Sequence, residues 1–196
     1  MSKDMTLPQI NKFLGNLRAM LEKSVVGLPS EAVQAVLGDP DFAVAQLALF
    51  RERVEARSGL IVRDFAVDPT IVGMDAINAT RRAFYGDKDV VGTMPHATVP
   101  NGQLHFFQTG RYTPVGELEA EYAKRELVAC DPHTLCAFNA ANPEFADTHP
   151  NGTQWKDAGG NFCYAVFNRW DVERRVSVSR SGDDWSDGWW FAGFSK

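Results

Sequence analysis

Three side chains of the types that bind zinc lie close together in the sequence. Cys130, His133 and Cys136 form a C-x2-H-x2-C pattern, and a tetrahedral zinc site takes four such ligands, the fourth here being Cys163 or His149. A helix predicted to begin at residue 132 would place His133 and Cys136 on one face and leave Cys130 outside it. We therefore expect no metal or other cofactor, and a zinc-stabilised module is the third of three hypotheses for this chain.

A histidine and a carboxylate brought together by two loops would instead support hydrolysis, because acid–base catalysis needs a histidine close to its partner group. The loops are predicted over residues 86–102 and 142–152, which are rich in Gly, Pro and Asn. The sequence lacks the standard motifs of P-loops, dinucleotide-binding folds, serine hydrolases and zinc proteases. A small hydrolase is therefore the second hypothesis, and a role other than catalysis is favoured. The candidate catalytic side chains are His96, His149, Asp147 and Asp157.

Aromatic side chains are concentrated near the C-terminus, where all 5 tryptophans lie at or beyond residue 155. Aromatic side chains with arginine nearby suit a protein interface, a sugar or a stacked base, although a small sheet also needs large side chains to fill its core. Trp189 and Trp190 are adjacent, so in a strand they face opposite sides of the sheet. If Trp190 is the core residue, its replacement by alanine should cost about 3–5 kcal/mol, whereas we expect Trp185, in a turn, to be exposed to solvent and to have the smaller effect. The predicted contact residues are Trp170, Trp185, Trp189, Arg174 and Arg175.

The charge distribution argues against a nucleic-acid partner. The formal net charge is −5, and it lies entirely in residues 60–196, which hold 13 basic and 18 acidic side chains. Phosphate backbones are bound by a surplus of lysine and arginine, so the expected partner is a protein. The polar residues 1–7 show no signal-peptide pattern, and no apolar run reaches the ~20 residues of a membrane span. With only 3 cysteines, an odd number, we expect a cytoplasmic protein with free thiols and no membrane segment.

The first third of the chain is predicted to be helical. Apolar residues repeat with a helical period over 8–23. Ser30 is a predicted N-cap for a helix over 31–37, and a third helix is predicted over 40–58. These helices form a helical unit over residues 1–59.

Residues 60–196 are predicted to form an α+β domain, although both parts could also belong to a single domain. Asp-Pro pairs, which place a capping carboxylate before a proline at the first helical position, predict helix starts at residues 40, 69 and 132. The helix from residue 69 is expected to reach about residue 85, and a further helix to cover residues 114–127. The predicted strands cover 60–67, 103–109, 153–156, 162–169, 174–180 and 189–195, and short turns between the last four favour a small antiparallel meander.

Several short segments near the C-terminus carry a resemblance. They are the Asn151-Gly152-Thr153-x-Trp155-Lys156-Asp157 segment, Arg169-Trp170 and the ending Trp189-Trp190-Phe191-Ala192-Gly193. From about residue 60 onward the chain resembles a group of uncharacterised bacterial hypothetical proteins. The resemblance implies that the C-terminal sheet is an integral module, and it implies no activity, ligand or functional residue.

The first hypothesis is an interaction or accessory protein of the cell interior. Its contact surface would be the aromatic C-terminal sheet, the N-terminal helices, or both. The combination of a concentrated tryptophan set with the absence of catalytic motifs from the sequence favours it.

Overall fold

The computed structural model describes residues 5–24 and 27–196. Residues 1–4, at the start of the polar segment without a signal-peptide pattern, lie outside the described residues. The chain divides into two compact units, Met1–Ser58 and Gly59–Lys196, called here the N-terminal and the C-terminal unit. The predicted α+β class is confirmed, with helices first and a mixed sheet after them.

The N-terminal unit consists of three helices, α1 (Leu7–Ser24), α2 (Ser30–Leu37) and α3 (Pro40–Ser58). The ends agree with the predicted ones within one or two residues. The prediction of Ser30 as N-cap is wrong by one position, since Pro29 precedes the helix and no side chain caps it. Within this unit, no described residue of the three helices is buried.

The C-terminal unit contains one eight-stranded mixed sheet with the strand order β1-β3-β8-β5-β6-β7-β2, in which β4 also pairs with β8. Its strands are β1 (Leu60–Ala66), β2 (Ala83–Gly86), β3 (Asn101–Gln108), β4 (Leu127–Ala129), β5 (Asn151–Lys156), β6 (Phe162–Trp170), β7 (Glu173–Arg180) and β8 (Trp190–Ser195).

Strands β5, β6 and β7 form the predicted antiparallel meander. Strand β8 does not continue it: β8 pairs antiparallel with β3 and parallel with β5, at the middle of the sheet. The reason lies in its composition, because Phe191 and Ala192 point to opposite faces and both are fully buried. A strand that is apolar on both faces requires cover on both sides, which a central position provides.

The predicted helix over 69–85 is wrong. Asp68 accepts hydrogen bonds from the backbone N–H and the hydroxyl of Thr70, which closes a turn. The helix α4 (Met74–Ala79) begins only after Gly73, whose φ of +58° is left-handed and incompatible with a continuous helix. Residues 83–86 form β2, which pairs parallel with β7.

The predicted helix over 114–127 is shorter than expected. A 3-10 turn (Val115–Glu117) leads into α6 (Leu118–Ala123), and Glu126, with φ +58°, turns the chain into β4. Both loops predicted around residues 86–102 and 142–152 contain a short helix, α5 (Lys88–Val91) and α8 (Phe145–Thr148).

The predicted cap of α7 (Pro132–Ala141) is confirmed. Asp131 has extended backbone angles, and its carboxylate accepts a 2.7 Å hydrogen bond from the backbone N–H of Thr134. Such a cap satisfies one of the unpaired N–H groups at a helix start. It fixes α7, whose Leu135 and Phe138 are fully buried in the core.

The core lies on both faces of the sheet. On one face α4, α7 and neighbouring loops cover the larger cluster, which includes Ile77, Phe106 and Phe167. On the opposite face α6 and residues 181–189 cover a smaller cluster around Phe107 and Phe191. Among the residues that the structure describes, no helix combines the length and apolar character needed to cross a bilayer.

Candidate functional site

A cleft of about 290 Å³ lies beside the smaller cluster, at the point where the cover of that sheet face ends. Tyr164 and Asn168 of β6 and Ser177 of β7 line it from the sheet. The segment between β7 and β8 supplies further side chains, principally Trp185 and Trp189, and Val115 and Gln154 contribute from other elements.

Strand alternation places the polar residues of the cleft on one face. Along β6, Cys163, Ala165 and Phe167 are buried in the larger core, so Tyr164 and Asn168 point the other way. The register pairs Tyr164 with Ser179, Val166 with Ser177 and Asn168 with Arg175. The cleft therefore rests on two rigid, hydrogen-bonded strands.

Trp185 is the fixed wall of the cleft. Only 7% of its surface is exposed, and its indole N–H donates a 2.7 Å hydrogen bond to Oε1 of Gln154 on β5. Gln154 in turn donates to the carbonyl of Val115, and the backbone of Trp185 exchanges two hydrogen bonds with Thr113. The expectation that Trp185 is a solvent-exposed turn residue is wrong, because these partners draw its ring into the sheet.

Trp189 and Tyr164 complete an aromatic corner around Trp185. The Trp185 and Trp189 ring centroids are 6.0 Å apart at an interplanar angle of 80°, and those of Trp185 and Tyr164 are 6.0 Å apart at 74°. Edge-to-face pairs of this kind add stability beyond the buried area. Trp189 is half-buried and so presents part of its ring to solvent.

Two exposed carboxylates, Asp183 and Asp184, line the cleft beside these rings. Within the described part of the chain neither of them forms an ion pair. Of the residues that the structure describes, no lysine, arginine or histidine lines the cleft. The cleft is therefore negatively charged. Its other lining groups are aromatic rings, the amide of Asn168 and the hydroxyl of Ser177.

A cation held between aromatic rings adjoins the cleft. The guanidinium of Arg175 lies 4.7 Å from the Tyr85 ring centroid and 6.0 Å from that of Trp170. Arg175 Nε donates to Glu173 Oε2 at 2.7 Å, and the Tyr85 hydroxyl donates to the same oxygen at 2.9 Å. The bond from Tyr85, followed by that from Arg175, lowers the pKa of Glu173. Trp170 is 65% exposed at the outer end of this group.

Because Arg175 pairs with Asn168, the cleft and this cation group form one surface. We call it the open face, and it runs from Trp189 to Trp170. Its residues are Tyr85, Tyr164, Asn168, Trp170, Glu173, Arg175, Ser177, Asp183, Asp184 and Trp189.

Arg174, predicted to act beside Arg175, lies on the opposite sheet face. It donates to Asp147 of α8 through Nε at 3.0 Å and through Nη2 at 2.7 Å. Arg169 also pairs with Asp147, at 3.4 Å. The hydrogen bonds from Arg174 are the main cause of the lowered pKa of Asp147. Arg174 and Asp147 therefore join α8 to the meander, and Arg174 does not contribute to the open face.

Asp157 is likewise held by structural partners. Its Oδ2 accepts a 2.7 Å bond from Nε of Arg180, and its Oδ1 accepts the backbone N–H groups of Gly159 and Asn161. The bond from Arg180 is the largest cause of a pKa of about 2 for this carboxyl. Asp157 closes the β5–β6 turn and ties it to β7.

The two candidate catalytic histidines lie in different surroundings. His149 stacks on Phe145 at 4.8 Å, with its Nδ1 2.8 Å from the Thr148 hydroxyl. His96 is exposed and stacks on His133, with centroids 5.5 Å apart. The carboxylates proposed to act with them, Asp147 and Asp157, are each occupied by arginine as described above.

The candidate zinc ligands are not brought together. His133 is buried, its Nε2 accepts the backbone N–H of Gly73, and its Nδ1 lies 2.7 Å from the Pro95 carbonyl. Cys130, Cys136 and Cys163 are free and buried, and burial is the main cause of the raised pKa of each thiol. The described residues contain no group of three or more possible metal ligands.

The residues of the 151–157 segment have structural roles. Asn151 is fully buried and bonds to the side chain of Asn139 on α7, and Thr153 donates to the Cys130 carbonyl at 2.6 Å. A side chain at Gly152 would meet Val166 at 2.8 Å and the Trp185 ring at 3.4 Å. The segment thus shapes the back of the cleft.

Sequence reasoning missed Tyr164, Asn168, Ser177 and Gln154 as residues of the site. The sequence held a signal for Tyr164, Asn168 and Ser177, because polar or amphipathic residues alternate with buried ones along β6 and β7. This alternation predicts that the three share one sheet face. Gln154 gave no such signal, since its role depends on Trp185, 31 positions away.

Comparisons with known proteins gave no similar protein. No family model matches the chain, and neither a curated protein nor a solved structure shows significant similarity to it.

Proposed function

We propose that this chain is a protein-binding module whose contact surface is the open face of the C-terminal sheet. One observation carries the proposal: half-buried and exposed aromatic rings, carboxylates without an ion pair among the described residues, and amide and hydroxyl groups lie side by side on strands β6 and β7 and on the segment that follows them. Interfaces concentrate binding energy in such aromatic and arginine side chains.

The rigidity of this surface supports the proposal. Trp185 is anchored by Gln154 and Thr113, and Arg175 is fixed by Glu173. Side chains that are ordered before binding lose less conformational entropy when the partner docks. Trp170 and Trp189, which are attached to this framework, keep apolar surface accessible to solvent.

The charge of the open face favours a protein over a nucleic acid. Asp183 and Asp184 would repel a phosphate backbone. The charge of Arg175, the one basic residue of the open face, is already matched by Glu173.

A second contact surface on the N-terminal unit belongs to the same proposal. Leu14, Leu17 and Leu21 of α1 lie along one side of the helix and are exposed. Apolar stripes of this kind are usually covered by another helix or by a partner. We assign this stripe to a protein partner as well.

We further propose that the protein acts in the cytoplasm. Its 3 cysteines are free thiols in the structure, and buried unpaired thiols are typical of reducing compartments.

The contacts of the candidate acids favour binding over hydrolysis. Asp147 is paired with Arg174 and Asp157 with Arg180, each at 2.7 Å. A general acid or base must be free to reach its substrate. We therefore do not extend the proposal to a hydrolase.

The test is capture of partners from the native host with the tagged full-length chain. A Trp170→Ala/Trp189→Ala variant is compared with Tyr112→Ala, which removes an aromatic side chain that is 69% exposed and outside the open face. We expect a stoichiometric partner that the wild type and Tyr112→Ala retain and the double variant loses, while circular dichroism shows all three folded. The captured protein is then purified and its direct binding measured by calorimetry.

Retention of every partner by the folded double variant would contradict the proposal for the open face. A Leu14→Ser/Leu21→Ser variant in the same experiment tests the α1 stripe, and an unchanged set of partners would remove that surface from the proposal.

A further inference from the structure

We infer that the cleft of the open face receives a positively charged side chain, the ammonium of a lysine or the guanidinium of an arginine, from the partner protein. The inference rests on the proposed function and names the chemistry that the cleft selects. It assigns to the partner an exposed basic residue that enters between Trp189, Tyr164 and the carboxylates of Asp183 and Asp184.

The aromatic corner provides the first part of the recognition. Three rings, those of Trp185, Trp189 and Tyr164, meet at angles of 74° and 80° around one end of the cleft. The face of an aromatic ring attracts a cation, and tryptophan attracts it most strongly. An apolar side chain would gain contact with these rings but none of this attraction.

The carboxylates provide the second part. Asp183 and Asp184 line the cleft, and within the described residues neither one is paired with a lysine or arginine of this chain. A hydrogen bond between a charged donor and a carboxylate is about twice as strong as one between neutral groups. The cleft thus carries an uncompensated negative charge beside aromatic walls.

The chain shows the same recognition with a cation of its own. On the same face, Arg175 lies against the rings of Tyr85 and Trp170 and is paired with the carboxylate of Glu173. That group consists of aromatic rings, a carboxylate and a cation. The cleft likewise combines aromatic rings with carboxylates, and none of the described lysines and arginines lines it.

The size of the cleft sets the scale of the ligand. Its volume of about 290 Å³ lies at the lower end of the range for small-molecule sites. It accommodates one long side chain, and the amide of Asn168 and the hydroxyl of Ser177 at its floor can orient the polar end. A lysine or arginine side chain also has the methylene stem needed to pack along Trp189.

The inference is tested with short peptides whose central residue differs only in charge. Acetyl-Gly-Gly-Lys-Gly-Gly-amide and its arginine analogue are titrated into the ¹⁵N-labelled full chain, and the Nε-acetyl-lysine peptide serves as the neutral control. The signals observed are the indole N–H resonances of Trp189 and Trp185. We expect the lysine and arginine peptides to shift them with millimolar affinity, the range appropriate to a single side chain, and the acetylated peptide to leave them unchanged.

Two variants with equal charge change locate the binding. Asp183→Asn/Asp184→Asn removes the carboxylates of the cleft, and Asp171→Asn/Asp187→Asn removes two exposed carboxylates that do not line it. We expect the first variant to bind the lysine peptide at least about fivefold more weakly, and the second to bind within about twofold of the wild type.

Each outcome decides the inference. Equal shifts with the acetylated peptide, unchanged binding by Asp183→Asn/Asp184→Asn, or no shift at about 20 mM lysine peptide would each overturn it. If the peptides give one of these negative results but a partner is still captured through Trp170 and Trp189, the protein-binding proposal stands. Only the assignment of a basic side chain to the cleft is then withdrawn. Failure of the protein-binding proposal itself would appear in the capture experiment, whose result does not depend on the peptides.

Discussion

The indole N–H of Trp185 donates a 2.7 Å hydrogen bond to the side-chain oxygen of Gln154, 31 positions earlier in the chain. This bond joins the β7–β8 segment to strand β5 and turns a residue of a polar turn into part of the core. It also holds the rigid wall against which Trp189 packs.

Replacing Trp185 tests this anchoring role. Trp185→Ala removes a large ring that is 93% buried, so we expect the free energy of unfolding to fall by about 3–5 kcal/mol. Trp170→Ala, at a position that is 65% exposed, should cost less than about 1 kcal/mol. Urea denaturation followed by circular dichroism measures both. A cost below about 1 kcal/mol for Trp185→Ala would mean that its ring is not part of the core.

Glu121 links stability to pH. Its carboxylate accepts bonds from Lys124 at 2.7 Å, Arg125 at 2.9 Å and Arg111 at 3.1 Å. The bond from Lys124, followed by that from Arg125, lowers its pKa from 4.5 to about 2. A carboxyl whose pKa is lower in the folded than in the unfolded state stabilises the fold above the unfolded pKa, and this contribution is lost as the pH falls towards the folded pKa.

We therefore expect Glu121→Gln to lower the free energy of unfolding at pH 7 by about 1–3 kcal/mol, and the difference from the wild type to shrink between pH 4.5 and about pH 2. The comparison is made from urea midpoints at several pH values. Glu119→Gln, an exposed residue of the same helix, is the control and should differ little from the wild type throughout. A difference for Glu121→Gln that stays constant with pH would contradict the assigned role.

Gly193 occupies a position in β8 where a side chain has no room. A Cβ there would lie 2.6 Å from the backbone oxygen of Val128 and 2.9 Å from the ring of Tyr122. Gly193→Ala should therefore destabilise the protein by about 1–3 kcal/mol through overpacking. Gly182→Ala, where no atom lies within 4 Å, should change stability by less than about 0.5 kcal/mol. Equal melting temperatures for the two variants would show that β8 and β4 do not approach this closely.

The thiols provide a check that does not require mutation. Cys130 and Cys136 are buried, and burial is the main cause of the raised pKa of both. Since the thiolate is the reactive form, we expect all 3 cysteines, with the buried Cys163, to react with Ellman's reagent at pH 8 only as fast as the fold opens. In guanidinium chloride, which unfolds the protein, all three thiols should react with the reagent at once. A rapid phase in the native protein would show that at least one thiol is accessible.

Local sequence patterns were sufficient for part of this fold. The apolar period of α1 and the Asp131-Pro132 cap of α7 lie within a few residues of the structure they determine. The strands β5, β6 and β7 were also predicted, because their turns are short and the pairing is between neighbours in the sequence.

Elements that depend on distant partners were not predicted. Residues 83–86 become β2 because β7 pairs with them from about 90 positions away, and β8 lies beside β3 for the same kind of reason. Local propensity gives way to tertiary context in such cases. The cleft is missed for this reason too, since Gln154, Tyr164 and Trp185 meet only once three separate segments are in place.

The position of β8 has a consequence for how the protein is made in the cell. A ribosome adds this strand after the seven other strands of the sheet, yet it is the strand that joins the β1–β3 pair to the β5–β7 meander. During translation β3 and β5 each present an unpaired edge, and edges of this kind favour pairing with other chains. The sheet therefore closes only once β8 has been synthesised, and a premature stop before Trp190 would remove its centre, leaving two separate halves.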